Sequence, residues 1–358
     1  MQNKLSVVQV IDMLKPGGAE RVLVTIANIL HEHGHKVKVI TTVSPEALSS
    51  QLHAGIEFQN LSRKWKWNPV TMFKLIQAVK NYDVIHVHSR HNLRYFLLAK
   101  SLFGLKKKIF YHEHHGYRVN TKATALEKKL FSSAKFIAVS EELKQWAIHE
   151  AGVNAANAFE LPNIVLKENV ASLIKQNEDI SLVIVSNFVP VKNLEFAIEV
   201  FYLLNKESQK YTLTIIGRIA DEEYYNRIIT LINEKGLQQR IRIISDCINV
   251  QKLLPQFDLA IHTSRSESGP LVLIEYMAQN LPFIAYKTGE VAEQVNDTFP
   301  EFIMKEFDAT TWVFQIEKLL LLDKKNLERQ IENFFETNYS SEAYYERCIS
   351  IYTQGLSV

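Results

Sequence analysis

Two cysteines, Cys247 and Cys348, are all that the 358 residues contain. A disulfide framework is excluded, both thiols read as buried packing residues, and a reducing cytoplasm is the expected setting. No apolar run approaches the roughly 20 residues needed to cross a bilayer. The opening L-S-V-V-Q-V-I-D-M-L is short and leads straight into a strand pattern, without the plan of a signal peptide. Short internal repeats and low-complexity segments are absent. So is the G-x-G-x-x-G fingerprint, followed by an acidic residue about 20 positions on, that a nicotinamide enzyme would carry after its first strand. No nucleic-acid motif accompanies the basic stretches, and nucleic acid is not an expected partner.

What the chain has is length, an ordinary apolar content and a divided charge. At 358 residues it exceeds the size at which one core stops growing, so two domains are expected. The net charge of +2 hides an asymmetry: residues 1–165 carry 22 Lys+Arg against 12 Asp+Glu, and the remainder 19 against 27. A basic half beside an acidic half suggests that the first domain faces an anionic partner. R-K-W-K-W (63–67), L-K-K-K-I (105–109) and Lys122, Lys128 and Lys129 are the candidate patches. Trp65 and Trp67 among lysines suit a membrane interface, rings at headgroup depth and cations against anionic lipid; a solvated loop with its tryptophans packed inward is the plainer alternative.

Strand and helix patterns alternate, which predicts an α/β protein with parallel sheets covered by helices on both faces. In the first half, strands are expected at 5–11, 36–42, 83–87, 108–112, 135–139 and 158–161, with helices near 18–33, 69–80, 91–103, 122–131 and 140–150. The pattern restarts with strands at 180–186, 211–216, 240–244, 257–262 and 282–286 and helices near 193–206, 221–235, 249–254 and 271–279. Between the halves, L-P-N-I-V-L-K-E-N-V (161–170) reads as a linker, and the tail from about 308 as helix throughout.

Chemistry concentrates in S-R-S-E-S-G-P-L-V-L-I-E-Y, where Glu267 and Glu275 stand eight positions apart. One carboxylate falls in the loop after a buried strand and the other one turn inside the helix that follows. Pro270 suits a helix start, and the free N–H groups near Leu271 and Val272 make an anion site. Carboxylates accept sugar hydroxyls, and exposed amides suit phosphate; taken alone, the pair is equally a solvated loop and a helix surface. After the first strand, K-P-G-G-A-E-R places Gly17 and Gly18 where a ligand can approach backbone N–H groups, and a tight turn explains them equally well. Histidines collect at strand ends: His86 and His88 in D-V-I-H-V-H-S, then His112, His114 and His115 in F-Y-H-E-H-H-G-Y. Alternation sends His112 and His114 to one face only, so a metal site is not expected.

Ser264, Glu267, Pro270 and Glu275, followed by Asn280-Leu281-Pro282, resemble the signature of the family 4 retaining glycosyltransferases. The resemblance covers nearly the whole chain. It implies two Rossmann-like domains facing a cleft, the glycosyltransferase B architecture (GT-B). Residues 1–165 would be the acceptor-binding domain, 166–340 the nucleotide-sugar domain and 341–358 a helix packing back on the first. It implies that Glu267 faces the donor sugar and Glu275 holds the ribose. Gly269 keeps a small residue near the phosphate, although the family's Glu-Gly-Phe-Pro is here Glu267-Ser268-Gly269-Pro270. Gly17 and Gly18 would face the donor phosphates, His114 the donor sugar, and His88, Arg90 and His115 the acceptor; Glu113 would orient a neighbouring imidazole. Base contacts are expected near residues 244–250.

The phosphate grip departs from the family. Lys192 is kept, but Asn187 stands where a bidentate arginine is usual, and that exchange is not conservative. Arg218 or Arg265 is the expected substitute. The implied reaction moves a sugar from a nucleotide diphosphate, UDP favoured, to a hydroxyl of a glycan or polyprenyl-linked glycan with retained configuration. It needs no cofactor or metal, and its setting would be bacterial surface polysaccharide synthesis at the inner face of the membrane. An epimerase or phosphorylase of the same architecture, and a non-catalytic nucleotide-sugar-binding partner, are the alternatives; Asn187 best supports the last.

Overall fold

The computed structural model describes residues 4–170, 179–207, 210–245, 247, 249–267 and 269–357. Asp246 and Ile248 of the expected base-contact stretch and Ser268 of the signature lie outside them. The chain divides into two compact units, residues 1–164 with 341–358, and residues 165–340.

The first unit runs β1 (Ser6–Ile11), α1 (Gly18–Glu32), β2 (Lys36–Thr41), β3 (Glu57–Asn60), α2 (Pro69–Val79), β4 (Val84–His88), α3 (Arg90–Leu102), β5 (Phe110–Glu113), α4 (Ala125–Phe131), β6 (Lys135–Ala138), α5 (Glu141–His149) and β7 (Ala158–Glu160). Its seven strands pair in the order β3-β2-β1-β4-β5-β6-β7, every pairing parallel. Buried runs such as V-V-Q-V-I in β1 and V-I-H-V-H in β4 suit strands covered on both faces. Strand order reverses between β1 and β4, the switch point at which open α/β sheets take their ligands.

The second unit repeats the plan: β8 (Ile180–Val185), α6 (Leu194–Glu207), β9 (Tyr211–Ile216), α7 (Glu222–Glu234), β10 (Ile241–Ile244), β11 (Leu259–His262), α8 (Leu271–Ala278), β12 (Phe283–Tyr286), α9 (Glu290–Thr298), β13 (Ile303–Met304), α10 (Ala309–Leu320) and α11 (Lys324–Tyr339). The sheet order is β10-β9-β8-β11-β12-β13, again parallel, with its switch point between β8 and β11. Its core joins Leu182, Ile184, Leu213, Ile215, Ile261 and Phe283 to helix residues such as Ile198, Tyr276 and Trp312.

The last helix, α12 (Ser341–Ser357), belongs to the first unit. Tyr344, Tyr345, Cys348 and Tyr352 are buried. Gly355 lies so close to Phe110 that a Cβ there would stand 2.4 Å from its ring.

Three features depart from the sequence reading. The helix expected at 249–254 is two 3₁₀ turns, Val250–Lys252 and Leu254–Gln256, because Pro255 removes the N–H that a longer helix needs. Strand β3 went unmarked because E-F-Q-N is a short edge with no apolar run, and α9 and β13 were missed beyond β12. The helix expected from 122 begins at Ala125, where Thr124 and Glu127 form a capping box.

Candidate active site

Lys192 and the signature loop meet at the switch point of the second unit. Beyond β8, a 3₁₀ turn (Pro190–Lys192) ends at Asn193 in the left-handed region, φ 54°. The loop after β11 is tied to it: Thr263 Oγ1 donates to the Lys192 carbonyl at 3.0 Å, and Arg265 N to that of Val191 at 2.9 Å. Arg265 Nη2 donates to Asn193 Oδ1 at 2.8 Å. Ser264 is buried with its hydroxyl on the Val191 and Ser266 carbonyls, both 3.4 Å away.

Within this frame Lys192 Nζ is ion-paired with Glu267 Oε1, and His262 Nε2 lies 3.7 Å from the same oxygen. Burial pushes the His262 pKa down to about 4, so the ring beside the ion pair is neutral at pH 7. Glu267 N donates to Thr288 Oγ1 at 3.0 Å, which fixes the loop to the segment after β12. Helix α8 then starts from Pro270, and among the described residues no side chain caps it. Its first amides, from Leu271 and Val272, give the positive end of the helix to the loop. Glu275 is buried one turn further on, and Gly269 precedes Pro270 in the loop.

Asn187 has a structural occupation. Its Oδ1 accepts from Arg218 N at 3.3 Å, and Phe188 N donates to the Arg218 carbonyl at 3.0 Å. Gly217 is required here, since a Cβ would fall 1.9 Å from the Ser186 carbonyl oxygen. Asn187 therefore positions the backbone of Arg218, whose side chain is exposed.

In the first unit Gly17 is the N-cap of α1 at φ −159°, extended backbone that any residue adopts. A left-handed dihedral is not the reason for glycine there. Glu20 folds back over the helix start, and a Cβ on Gly17 would lie 2.3 Å from Glu20 Oε2. Gly18 opens α1.

The histidines separate into two groups. His88 is fully buried, with Nε2 on Gln9 Oε1 at 2.7 Å and Nδ1 at 2.9 Å from His114 Nε2. Burial lowers both histidines well below the ordinary value, so both are neutral. His88 Nε2–H then donates to Gln9, Nδ1 accepts, and His114 carries its hydrogen on Nε2. The Nδ1 lone pair of His114 is left without a partner among the described residues.

His115 is on the other side of the tract. Its Nδ1 is 2.9 Å from Glu113 Oε1, a fully buried carboxylate that also accepts from the Tyr111 hydroxyl at 2.7 Å. This hydrogen bond raises the His115 pKa against the effect of its partial burial. Arg90 Nη1 pairs with Glu127, which also accepts from Arg118 Nη1 at 2.7 Å. Against its burial, the Thr124 N–H and Arg118 hold Glu127 down to about 2.

Among the described residues, His86, His88 and His112 form a group whose ligand atoms lie within 4.8 Å of one another. The rings stack face to face, His86 on His88 at 4.3 Å and on His112 at 5.3 Å, whereas an ion needs ring edges converging on it.

Sequence reasoning passed over His262 and Thr288. Both were within reach of the strand-end rule, since each stands at or just past the carboxyl end of a strand.

The family model for glycosyl transferases group 1 matches residues 166–336, and that for Glycosyltransferase Family 4 matches residues 16–166. The chain is 24% identical to the capsular polysaccharide biosynthesis glycosyltransferase CapH of Staphylococcus aureus, over 94% of this chain and 97% of that one. It is also 24% identical to the N-acetyl-alpha-D-glucosaminyl L-malate synthase of Bacillus anthracis, over 94% and 93%. Among solved structures, Anabaena HepE in complex with UDP and glucose superposes with a TM-score of 0.77 at 16% identity, covering 98% of this chain and 99% of that one.

Proposed function

The chain belongs to the family 4 glycosyltransferases, glycosyl transferases group 1, and from that premise we propose that it moves a sugar from a nucleotide diphosphate, UDP favoured, to an acceptor hydroxyl with retained configuration. The ion pair of Lys192 with Glu267 beside the uncapped start of α8 carries the proposal. It sets a cation and two helix amides where a departing diphosphate needs charge, next to a carboxylate able to accept sugar hydroxyls.

In this reaction the bond from the anomeric carbon to the diphosphate oxygen breaks. The acceptor oxygen bonds to that carbon from the same face, and its proton passes to the departing phosphate. Lys192 and the amides of Leu271 and Val272 stabilise the leaving group, with Gly17, Gly18, Ser264, Gly269 and Pro270 completing the donor contacts. Glu267 orients the sugar and Glu275 the ribose. Arg218 or Arg265 supplies the second positive charge that Asn187 cannot, so the diphosphate is neutralised by side chains and amides without a metal ion. His114 faces the donor sugar. Arg90 and His115 serve the acceptor; fully buried His88 acts through His114.

The acceptor class proposed is a glycan or polyprenyl-linked glycan of the bacterial cell surface, met at the inner membrane face. The name of the CapH relative, a capsular polysaccharide enzyme, supports that class, and the UDP and glucose of the HepE complex support the donor.

A thermal-shift screen of UDP-, GDP-, ADP- and dTDP-sugars tests the donor, since a ligand of the folded state raises its melting temperature. A UDP-sugar shift lost in Lys192→Ala, with nucleotide release and an axial product anomer from an axial donor, is expected. Binding without turnover on any acceptor would favour the non-catalytic alternative. An inverted product or a trapped glycosyl-enzyme would reject same-face transfer.

A further inference from the structure

The first unit carries a surface that the transfer reaction does not use. Residues 58–112 contain 11 Lys+Arg and a single acid, Asp83. Seven of the fourteen exposed large apolar side chains of the described residues also fall between 65 and 103. Trp65 and Trp67 are in the loop before α2; Val70 and Phe73 are on the outer face of α2; Leu102 and Phe103 end α3. These elements are one surface. Phe73 meets Phe103 edge-on at 5.5 Å, the Arg94 guanidinium lies 5.5 Å from the Trp67 ring, and the Tyr95 hydroxyl donates to the Asn68 carbonyl at 3.3 Å. Arg94, Leu98 and Leu102 recur at helical spacing along one stripe of α3. Lys64, Lys66 and Lys74 on these elements, and Lys106 just after α3 in the chain, are exposed without an ion pair among the described residues.

We propose that this face, the 63–68 loop with the outer sides of α2 and α3, seats the protein on a bilayer containing anionic phospholipid. A contiguous apolar patch with a cationic rim marks an interaction site, and its composition selects among occupants. A second copy would pair the patch with itself and bring two sets of cations together, Lys64, Lys66, Lys74 and Arg94 from each. A nucleic acid would satisfy the charge but not Val70, Phe73 and Leu102, which have no base or phosphate to meet. Anionic headgroups over hydrocarbon satisfy both: lysines meet lipid phosphate, tryptophans lie at headgroup depth, and the aliphatic and phenyl groups go deeper. The inference stands independently of the transfer reaction, because vesicle binding requires neither donor nor acceptor.

Intrinsic fluorescence tests it. Trp146 and Trp312 are buried, whereas Trp65 and Trp67 are 59% and 37% exposed, so a lipid-induced shift reports on this face. With vesicles of phosphatidylcholine and phosphatidylglycerol, co-sedimentation and a blue shift are expected; with phosphatidylcholine alone, binding should be weaker on the order of a hundredfold. A triple variant, Lys64→Ala, Lys66→Ala, Lys106→Ala, should lose a similar factor. A second, Trp65→Ser, Phe73→Ser, Leu102→Ser, should abolish binding at physiological salt while retaining its circular dichroism spectrum. The proposal is overturned if the unaltered protein neither sediments nor shifts its emission. It is equally overturned if the serine triple binds undiminished, or if the patch instead drives dimerisation or captures single-stranded DNA but not vesicles.

Discussion

Lys192 and Glu267, 75 residues apart in the chain, share an ion pair that the loops after two adjacent strands bring together at the switch point of the second sheet. Neither group is fully exposed, with 22% and 17% of the side chains open to solvent, so each limits the motion of the other. A diphosphate entering there would compete with Glu267 for the lysine, leaving the carboxylate available to sugar hydroxyls.

Removing either partner should therefore cost more than binding. Lys192→Ala and Glu267→Gln are each expected to lower turnover on the order of a hundredfold, with a smaller change in KM, because both act on charge that develops at the transition state. Their double variant should fall short of the product of the two losses. Steady-state nucleotide release decides it; additive effects would mean that the pair does not act as a unit.

Arg218→Ala and Arg265→Ala separate the candidates for the second cation. One should lower kcat/KM roughly tenfold to a hundredfold, the value of a lost charge-assisted contact to phosphate. Should neither do so while Lys192→Ala does, no substitute for the family's arginine exists. Asn187→Ala should leave the charge unchanged and cost about 1 kcal/mol of stability or less by freeing the Arg218 N–H, measured by urea unfolding.

Gly217→Ala should destabilise by roughly 1–3 kcal/mol, because the new Cβ meets a backbone carbonyl that no rotamer change can move. The denaturation midpoint measures this, and an unchanged midpoint would show that the strand ends yield.

Acid should unfold the chain early. Burial depresses His262 to about 4, His86 to about 3, and His88, His112 and His114 well below 6.5. Below pH 6.5 the unfolded chain binds protons at these positions that the folded chain refuses, so stability is present above that value and lost as pH falls through it. Each histidine contributes a slope of roughly 1 kcal/mol per pH unit. His115, raised by Glu113, has the opposite sign: it stabilises below 6.5 and loses that contribution as pH rises through its folded value. Melting temperature measured between pH 7 and 5 should drop steeply, and the drop should lessen in His262→Gln if that variant retains its fold.

The alternation of strands and helices was readable because parallel strands buried on both faces are continuous apolar runs, and a helix start announces itself through Pro270; the capping box of Thr124 and Glu127 was passed over. Short polar edges such as β3 carry no such signal. Alternation sets His114 and His115 on different faces, but their partners were hidden: one meets the buried His88 ring and the other a buried carboxylate, which only the packing of the folded chain decides.

The amino-acid order by itself determined the two α/β units, the basic character of the first, the signature around Glu267 and the lysine at 192, because each is a matter of local spacing and side-chain chemistry. Only the tertiary structure decided that Lys192 holds Glu267, that Asn187 secures the Arg218 backbone, and that the Tyr352 hydroxyl of α12 meets His86 Nδ1. Those pairings join residues tens to hundreds of positions apart, and what brings them together is strand order and close packing, to which periodicity along the chain is blind.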